Sequence, residues 1–157
     1  MNRQTATLVL ASITILVVVT ALAPLIPVRQ QRYSELGILG PDQTTRGYPT
    51  TVGVNQPFLL YGFVGNHEGS IENYQMLVKL GIQSTLVSNS TYANAPVLST
   101  FWHIVRDNET WTFPMTLSVN QVGNNTRIIF ELWSYNVPAS NFEYTGLWNQ
   151  IWLNVTA

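Results

Sequence analysis

The strongest constraint on this chain lies near its start, where Thr5 to Val28 carries no charge and reads TATLVLASITILVVVTALAPLIPV. Backbone amides in hydrocarbon must be satisfied inside their own segment, so a lone apolar run of this kind is stable in a bilayer only as a helix. A bilayer core takes about 20 apolar residues in helical form, whereas the apolar region of a secretory signal is about 7–15 residues long. The run is therefore expected to span the membrane. A small-x-small cleavage pattern occurs at Ala21-Leu22-Ala23, but Pro24 follows it directly and should hinder signal peptidase. Pro24 and Pro27 are expected to stop or kink the helix at the interface. The expected organisation is a tail at 1–4, a transmembrane helix at 5–28, a polar collar at 29–32 and a β-domain at 33–157.

Positive charge does not decide the orientation, because Arg3 and the terminal amine face Arg29 and Arg32 across the run. Asn-x-Ser/Thr sequons at Asn89, Asn108, Asn124 and Asn154 all follow the span and favour an exterior domain. A chain rich in Asn, Ser and Thr acquires some sequons by chance, so they support the placement without fixing it. The expected location is the cell membrane, single-pass, with the β-domain outside the cytoplasm. Along the helix, Thr7, Ala11, Thr14, Val18 and Ala21 form a stripe of small or β-branched residues of the kind that lets helices approach in lipid. Such residues are also simply common in spans. The expected partners are membrane lipid and other membrane-protein subunits.

Beyond the collar the pattern is that of strands. Tyr33 to Leu39 reads as a first strand, ended by Gly40-Pro41-Asp42 and followed by a polar loop from Thr44 to Thr50. Phe58 to Val64, a turn over Gly65 to Ser70, and Ile71 to Leu80 read as a hairpin, with Tyr74, Met76, Val78 and Leu80 on one face. Ser84 to Pro96 reads as an exposed excursion. Thr100 to Arg106 and Trp111 to Val119 flank Asp107-Asn108-Glu109 as a second expected hairpin, with Pro114 pointing to an edge or bulge. Gly123-Asn124-Asn125 is expected to turn the chain into Arg127 to Tyr135, where Ile128, Phe130 and Leu132 oppose Ile129, Glu131, Trp133 and Tyr135. In the last arm, Leu147 to Val155, Leu147, Ile151, Leu153 and Val155 share a face opposite Trp148, Gln150 and Trp152. Seven to nine short strands with no convincing soluble helix describe an all-β, immunoglobulin-like β-sandwich of Greek-key type.

Composition removes several function classes. Cysteine is absent, so disulfides, thiolate chemistry and cysteine-based zinc sites are all excluded. The net charge is -1, and Arg46, Lys79, Arg106 and Arg127 are scattered, which argues against nucleic acid. The two histidines, His67 and His103, lack a ligand spacing. His67 is expected in a turn and His103 in a strand with one hydrogen-bond partner. The carboxylates Glu35, Asp42, Glu68, Glu72, Asp107, Glu109, Glu131 and Glu143 are dispersed, and no nucleophile elbow, phosphate loop or dinucleotide fingerprint appears. No catalytic residue, metal or cofactor is expected. Five tryptophans, Trp102, Trp111, Trp133, Trp148 and Trp152, either fill the space between sheets or form a contact surface, for which Trp148 and Trp152 are the candidates.

The segments Tyr33-Ser34-Glu35-Leu36-Gly37-Ile38-Leu39-Gly40-Pro41 and Gly65-Asn66-His67-Glu68, with Tyr48-Pro49 and the closing Leu147-Trp148, resemble the archaeal domain of unknown function 1616. The likeness covers most of Tyr33 to Thr156. It implies an archaeal source, a β-rich fold and a membrane-associated exterior placement, and it carries over no catalytic residue.

The expected function is that of a non-catalytic anchored exterior module, an accessory or structural subunit of a larger membrane or cell-envelope complex, such as a respiratory one. A carbohydrate- or cell-surface-binding module is the alternative from another class. A filament subunit is a third, although Arg3 so close to the apolar run does not match a prepilin processing site. A surface of neutral amides and hydroxyls also gains little repulsive charge when carboxylates protonate, which suits an acidic exterior. Cover by glycan or by a partner subunit accounts for the same composition. On the acid-exterior reading the denaturation midpoint holds between neutral and strongly acidic pH, and a collapse over that interval removes it.

Overall fold

The computed structural model describes residues 31–157 and contains eight β-strands and no helix over that range. The expected tail, the span at 5–28 with its stripe Thr7, Ala11, Thr14, Val18 and Ala21, and Arg29 and Gln30 of the collar lie outside the described residues. The strands are β1 (Tyr33–Leu39), β2 (Thr51–Gly53), β3 (Phe58–His67), β4 (Glu72–Gly81), β5 (Val97–Val105), β6 (Thr110–Leu117), β7 (Gly123–Asn136) and β8 (Asn141–Thr156). They form a three-stranded sheet, β1-β3-β6, and a five-stranded sheet, β2-β8-β7-β4-β5.

The opening stretch serves both sheets. β1 pairs antiparallel with β3, whereas β2 crosses over and runs parallel to the last strand, β8. β3 to β4 and β5 to β6 then pass between the sheets. That is immunoglobulin-like connectivity. The two expected hairpins are corrected by it: β3 pairs with β1 and β6, and β4 with β5 and β7, so the expected turns are arches between sheets, over 68–71 (Gly65 to His67 continuing β3) and 106–109. Turn-forming residues reverse the chain in either arrangement, and composition does not say whether the flanking strands pair. The hairpin is β7–β8, closed by Val137 to Ser140. Gly123-Asn124-Asn125, expected to be a turn, opens β7 as a bulge, with Asn125 in the left-handed region (φ 52) and the register shifted between Gly123 and Thr126. Asn141 to Gly146, missed in the sequence, extends β8.

The core lies between the sheets and follows the period of two. Leu60 and Val64 of β3, Tyr74, Met76 and Val78 of β4, and Ile128, Phe130 and Leu132 of β7 are fully buried. Met115 and Leu117 of β6 and Leu153 and Val155 of β8 complete it. Each such side chain contributes about 1.5–3 kcal/mol of burial, which lets the sandwich stand without the disulfide that many such domains carry. Pro114 sits on β6, at the edge of its sheet, where its missing N–H leaves no ladder bond unmade.

Asn66 ties both arches together. Its side chain is fully buried, and its amide nitrogen donates to the carbonyls of Ser70 (2.8 Å) and Val105 (2.9 Å). Its Oδ1 accepts from the Glu68 amide at 3.0 Å, while its backbone accepts from Asn108 N–H and donates to Glu109 C=O. Beside it, Tyr74 Oη lies 2.8 Å from Ser34 Oγ, which donates to Glu68 at 2.7 Å. Burial pushes the Tyr74 phenol up to about 12. Asn66→Ala leaves the buried Val105 carbonyl, and the partly buried Glu68 amide and Ser70 carbonyl, without their partner, so a loss of about 1–3 kcal/mol is expected. Urea midpoints check this, with exposed Gln83→Ala as the neutral control.

Candidate functional site

The unusual part of the molecule is the outer face of the five-stranded sheet, where an apolar core would not predict buried charge. On β4 the run Leu77-Val78-Lys79-Leu80 and on β7 Ile128-Ile129-Phe130-Glu131-Leu132 each place one charge among apolar residues. In-register pairing of Leu77 with Glu131 and Lys79 with Ile129 sets the two charges diagonally on one face. Lys79 Nζ lies 2.8 Å from Glu131 Oε2, with the side chains 6% and 0% exposed.

The cover is the segment 82–96, which joins β4 to β5. Sequence reading made its Ser84 to Pro96 portion an exposed excursion. Most of its side chains do face solvent, but its backbone is strapped across the sheet, and Ala93 is buried. The Ala93 amide donates to Glu131 Oε1 at 2.5 Å, and its carbonyl accepts from Lys79 Nζ at 2.8 Å. Trp133 Nε1 also donates to Glu131 (3.2 Å), and the Lys79 ammonium lies 5.1 Å from the Tyr92 ring centre and 5.7 Å from that of Trp133. Further along, Thr85 C=O accepts from Arg127 (2.6 Å) and Ser88 C=O from Tyr144 (2.9 Å). Gly146 (φ +82) lets Asn89 pass, since a Cβ there would meet its carbonyl oxygen at 2.4 Å. Burial, reinforced by Glu131, pushes the Tyr144 phenol up to about 12.

Four of the five tryptophans lie on this face, whereas Trp111, on β6 of the other sheet, packs against the core. Trp133 packs beside Tyr92 and Tyr144 on the outer face, and Trp111 stacks on Phe113 with ring centres 3.7 Å apart at the β6 edge. Trp148 and Trp152, the expected contact pair, share the outer face of β8 and are bridged by Arg127, whose guanidinium carbon lies 5.6 and 5.4 Å from their ring centres. Arg127 also donates to Gln150, and burial lowers its pKa while leaving it charged. His67 ends β3 instead of lying in a turn, stacks on Tyr33 and meets Asn108 Oδ1 at 3.1 Å. His103 is a β5 residue stacked on Trp111. The sequon residues Asn89, Asn108, Asn124 and Asn154 are all exposed.

The strap ends at Pro96, and β5 beyond it is bare. Its outer face shows Trp102 (67% exposed) and Ile104 (55%), and its free edge carries no charged residue over VLSTFWHIV. Sequence reading had not singled out this edge, although the uncharged run was its signal. Next to it, opposite Ile104, Asn73 Oδ1 is buried with no hydrogen-bond partner among the described residues.

Residues 27–154 match the family model of a domain of unknown function, DUF1616. The chain belongs to the DUF1616 family. No curated protein matches this DUF1616 chain. Among solved structures, it is similar to the CARDB domain of the PF1109 protein from Pyrococcus furiosus, in complex with di-metal ions, with 12% identity and a TM-score of 0.49 over 80% of this chain and 89% of that one. It is also similar to a β-glucosidase from Listeria innocua in complex with glucose, with 9% identity and a TM-score of 0.49 over 80% of this chain. This DUF1616 chain spans 16% of the length of that enzyme. A third likeness is to Spo0M, a sporulation control protein from Bacillus subtilis, with 7% identity and a TM-score of 0.43 over 79% of this chain and 49% of that one.

The Lys79–Glu131 clamp makes a sharp thermodynamic prediction. Lys79→Met alone strands a buried carboxylate and should cost about 3–5 kcal/mol, whereas Lys79→Met with Glu131→Leu should recover much of that loss. Chemical denaturation of the four-member cycle reads the coupling, and additive losses would show that the pair does not act as a unit.

Proposed function

We propose that this DUF1616 chain is a non-catalytic, membrane-anchored exterior module, an accessory or structural subunit of a larger archaeal membrane or cell-envelope assembly. The observation that carries the reading is the bare edge strand β5. Exposed sheet edges invite pairing with another chain, and natural proteins blunt them with charge, proline or a bulge on the edge strand. β5 has no charge and no proline, its one bulge lies near its start at Leu98, and the stretch beyond it adds an exposed Trp102 and Ile104. A partner strand there would add main-chain hydrogen bonds, with the outer side chains conferring specificity. The uncharged run at 5–28 and the short collar supply the tether in this reading.

The carbohydrate-binding alternative is less well supported, because Arg127 lies over both Trp148 and Trp152 and takes up ring surface that a sugar would use. The test is purification from native membranes in mild detergent. The wild-type chain is expected to bring down a stoichiometric membrane partner, and Trp102→Lys with Ile104→Lys is expected to lose it while keeping the far-ultraviolet spectrum of the sandwich. A strictly monomeric wild-type chain that carries nothing with it would refute the accessory-subunit reading.

A further inference from the structure

The free edge of β5 is matched to itself. The β4 ladder skips Leu98 and the chain leaves the sheet after Val105, so the straight part of this strand is Ser99 to Val105. Its middle residue is Trp102, which is 67% exposed. An antiparallel neighbour that used the whole stretch in a second copy of the chain would set Trp102 opposite Trp102, with a two-fold axis normal to the sheet between them. Every opposed pair in that register is uncharged. On the outer face, where Thr100, Trp102 and Ile104 lie beside Leu77, Gln75 and Asn73, Thr100 of one copy meets Ile104 of the other on either side of the tryptophans. On the inner face Phe101 meets His103, next to the Phe113 and Trp111 rings on which those side chains already pack, and Ser99 meets Val105. Aromatic and β-branched residues set directly opposite one another are favourable cross-strand pairs. A slip by two residues in either direction shortens the ladder and separates the tryptophans, and a slip by one turns the outer face inward.

Charge permits the match. Arg106, the first charged residue beyond the stretch, would stand roughly 27 Å from its copy at a rise of about 3.4 Å per residue, well outside the screening length of about 8 Å in physiological salt. The contact also closes on itself. Among the other edge strands of the described residues, β1 carries Glu35, β6 carries Pro114 and β2 is 3 residues long, so joining two β5 strands leaves no long, unblunted edge over. We propose that β5 pairs antiparallel with β5 of a second copy of this chain, fusing the two five-stranded sheets into one about a two-fold axis at Trp102. The proposal rests on the reading above of β5 as the docking edge, and it names the strand that meets it.

The chain has no cysteine, so introduced thiols report without background. The double variant Thr100→Cys with Ile104→Cys keeps Trp102 and places each new thiol opposite the other kind in the second copy, within reach of a disulfide. Each single variant leaves its thiol about 14 Å from its copy, out of reach. On mild oxidation of the full-length chain in native membranes, the double variant is expected to give a covalent dimer several-fold more abundant than either single variant gives. Adding Trp102→Lys to the double variant is expected to bring the dimer down to the level of the singles. Equal crosslinking of the single and double variants reports collision and overturns the pairing. Absence of the covalent dimer overturns the second copy as the occupant, and the docking edge itself then stands only if a different protein co-purifies with the wild-type chain and is lost with Trp102→Lys and Ile104→Lys.

Discussion

One peptide residue held between two charges organises the outer half of this domain. Ala93 donates its N–H to Glu131 and accepts from Lys79 through its C=O, so the ion pair closes around the strap backbone. Each partner answers a different cost. The two charges lose water under the strap, and the peptide group replaces part of that hydration. The strap backbone, which has no ladder of its own across the sheet, gains two charge-assisted hydrogen bonds. Tyr92 and Trp133 then close over the ammonium, excluding the water that would weaken both. Arg127 with Thr85 and Tyr144 with Ser88 repeat the device at the flanks, again through strap carbonyls.

Such a clamp binds geometry more tightly than it stabilises. A well-packed apolar pair often matches or exceeds a buried ion pair in net stability, so specificity of register is the better account of its presence. A one-residue slip of β4 against β7 would send Lys79 into the apolar core and leave Glu131 alone. The bulge at Leu98 of β5, which the β4 ladder skips between Val78 and Lys79, sits at the point where the pairing must accommodate both the ladder and the strap.

Much of the inner sandwich was legible because alternation is a direct consequence of the pleat. The β1 limits, the buried set Tyr74, Met76 and Val78, and the inward face Ile151, Leu153 and Val155 all follow from period two and from Gly-Pro or Gly-Asn punctuation. What stayed illegible depended on partners distant in sequence. Whether Gly65–Ser70 closes a hairpin or an arch is decided by which strands lie beside β3, and the Asn66 bonds that fix the arch reach as far as Val105. Three-residue β2 offers no periodicity to read and exists because β8 accepts it. The strap looked like an excursion because its composition is polar, yet its backbone does the docking while its side chains stay wet. The clue available beforehand was a lone Lys and a lone Glu, each flanked by apolar residues within a strand, since alternation broken on both faces marks a strand covered on both sides.

The strap also determines what remains for a partner. It starts at the end of β4, crosses β7 and β8, and returns so that Pro96 C=O accepts the Leu80 amide at 2.9 Å just before β5 begins. Everything it crosses is withdrawn from recognition, including the ion pair and one side of the aromatic tract. The strand it delivers, β5, is hydrogen-bonded along one edge by β4 and is left unpaired along the other, with Trp102 and Ile104 exposed on the part of the outer face that the strap leaves uncovered. A shorter connection would place β5 beside β4 without covering Lys79 and Glu131, and those charges would then solvate and let the strand ends fray. The same connection that seals the buried charges therefore holds the bare edge in a single register, which is the condition for an edge to be read by another chain rather than to aggregate with any strand it meets.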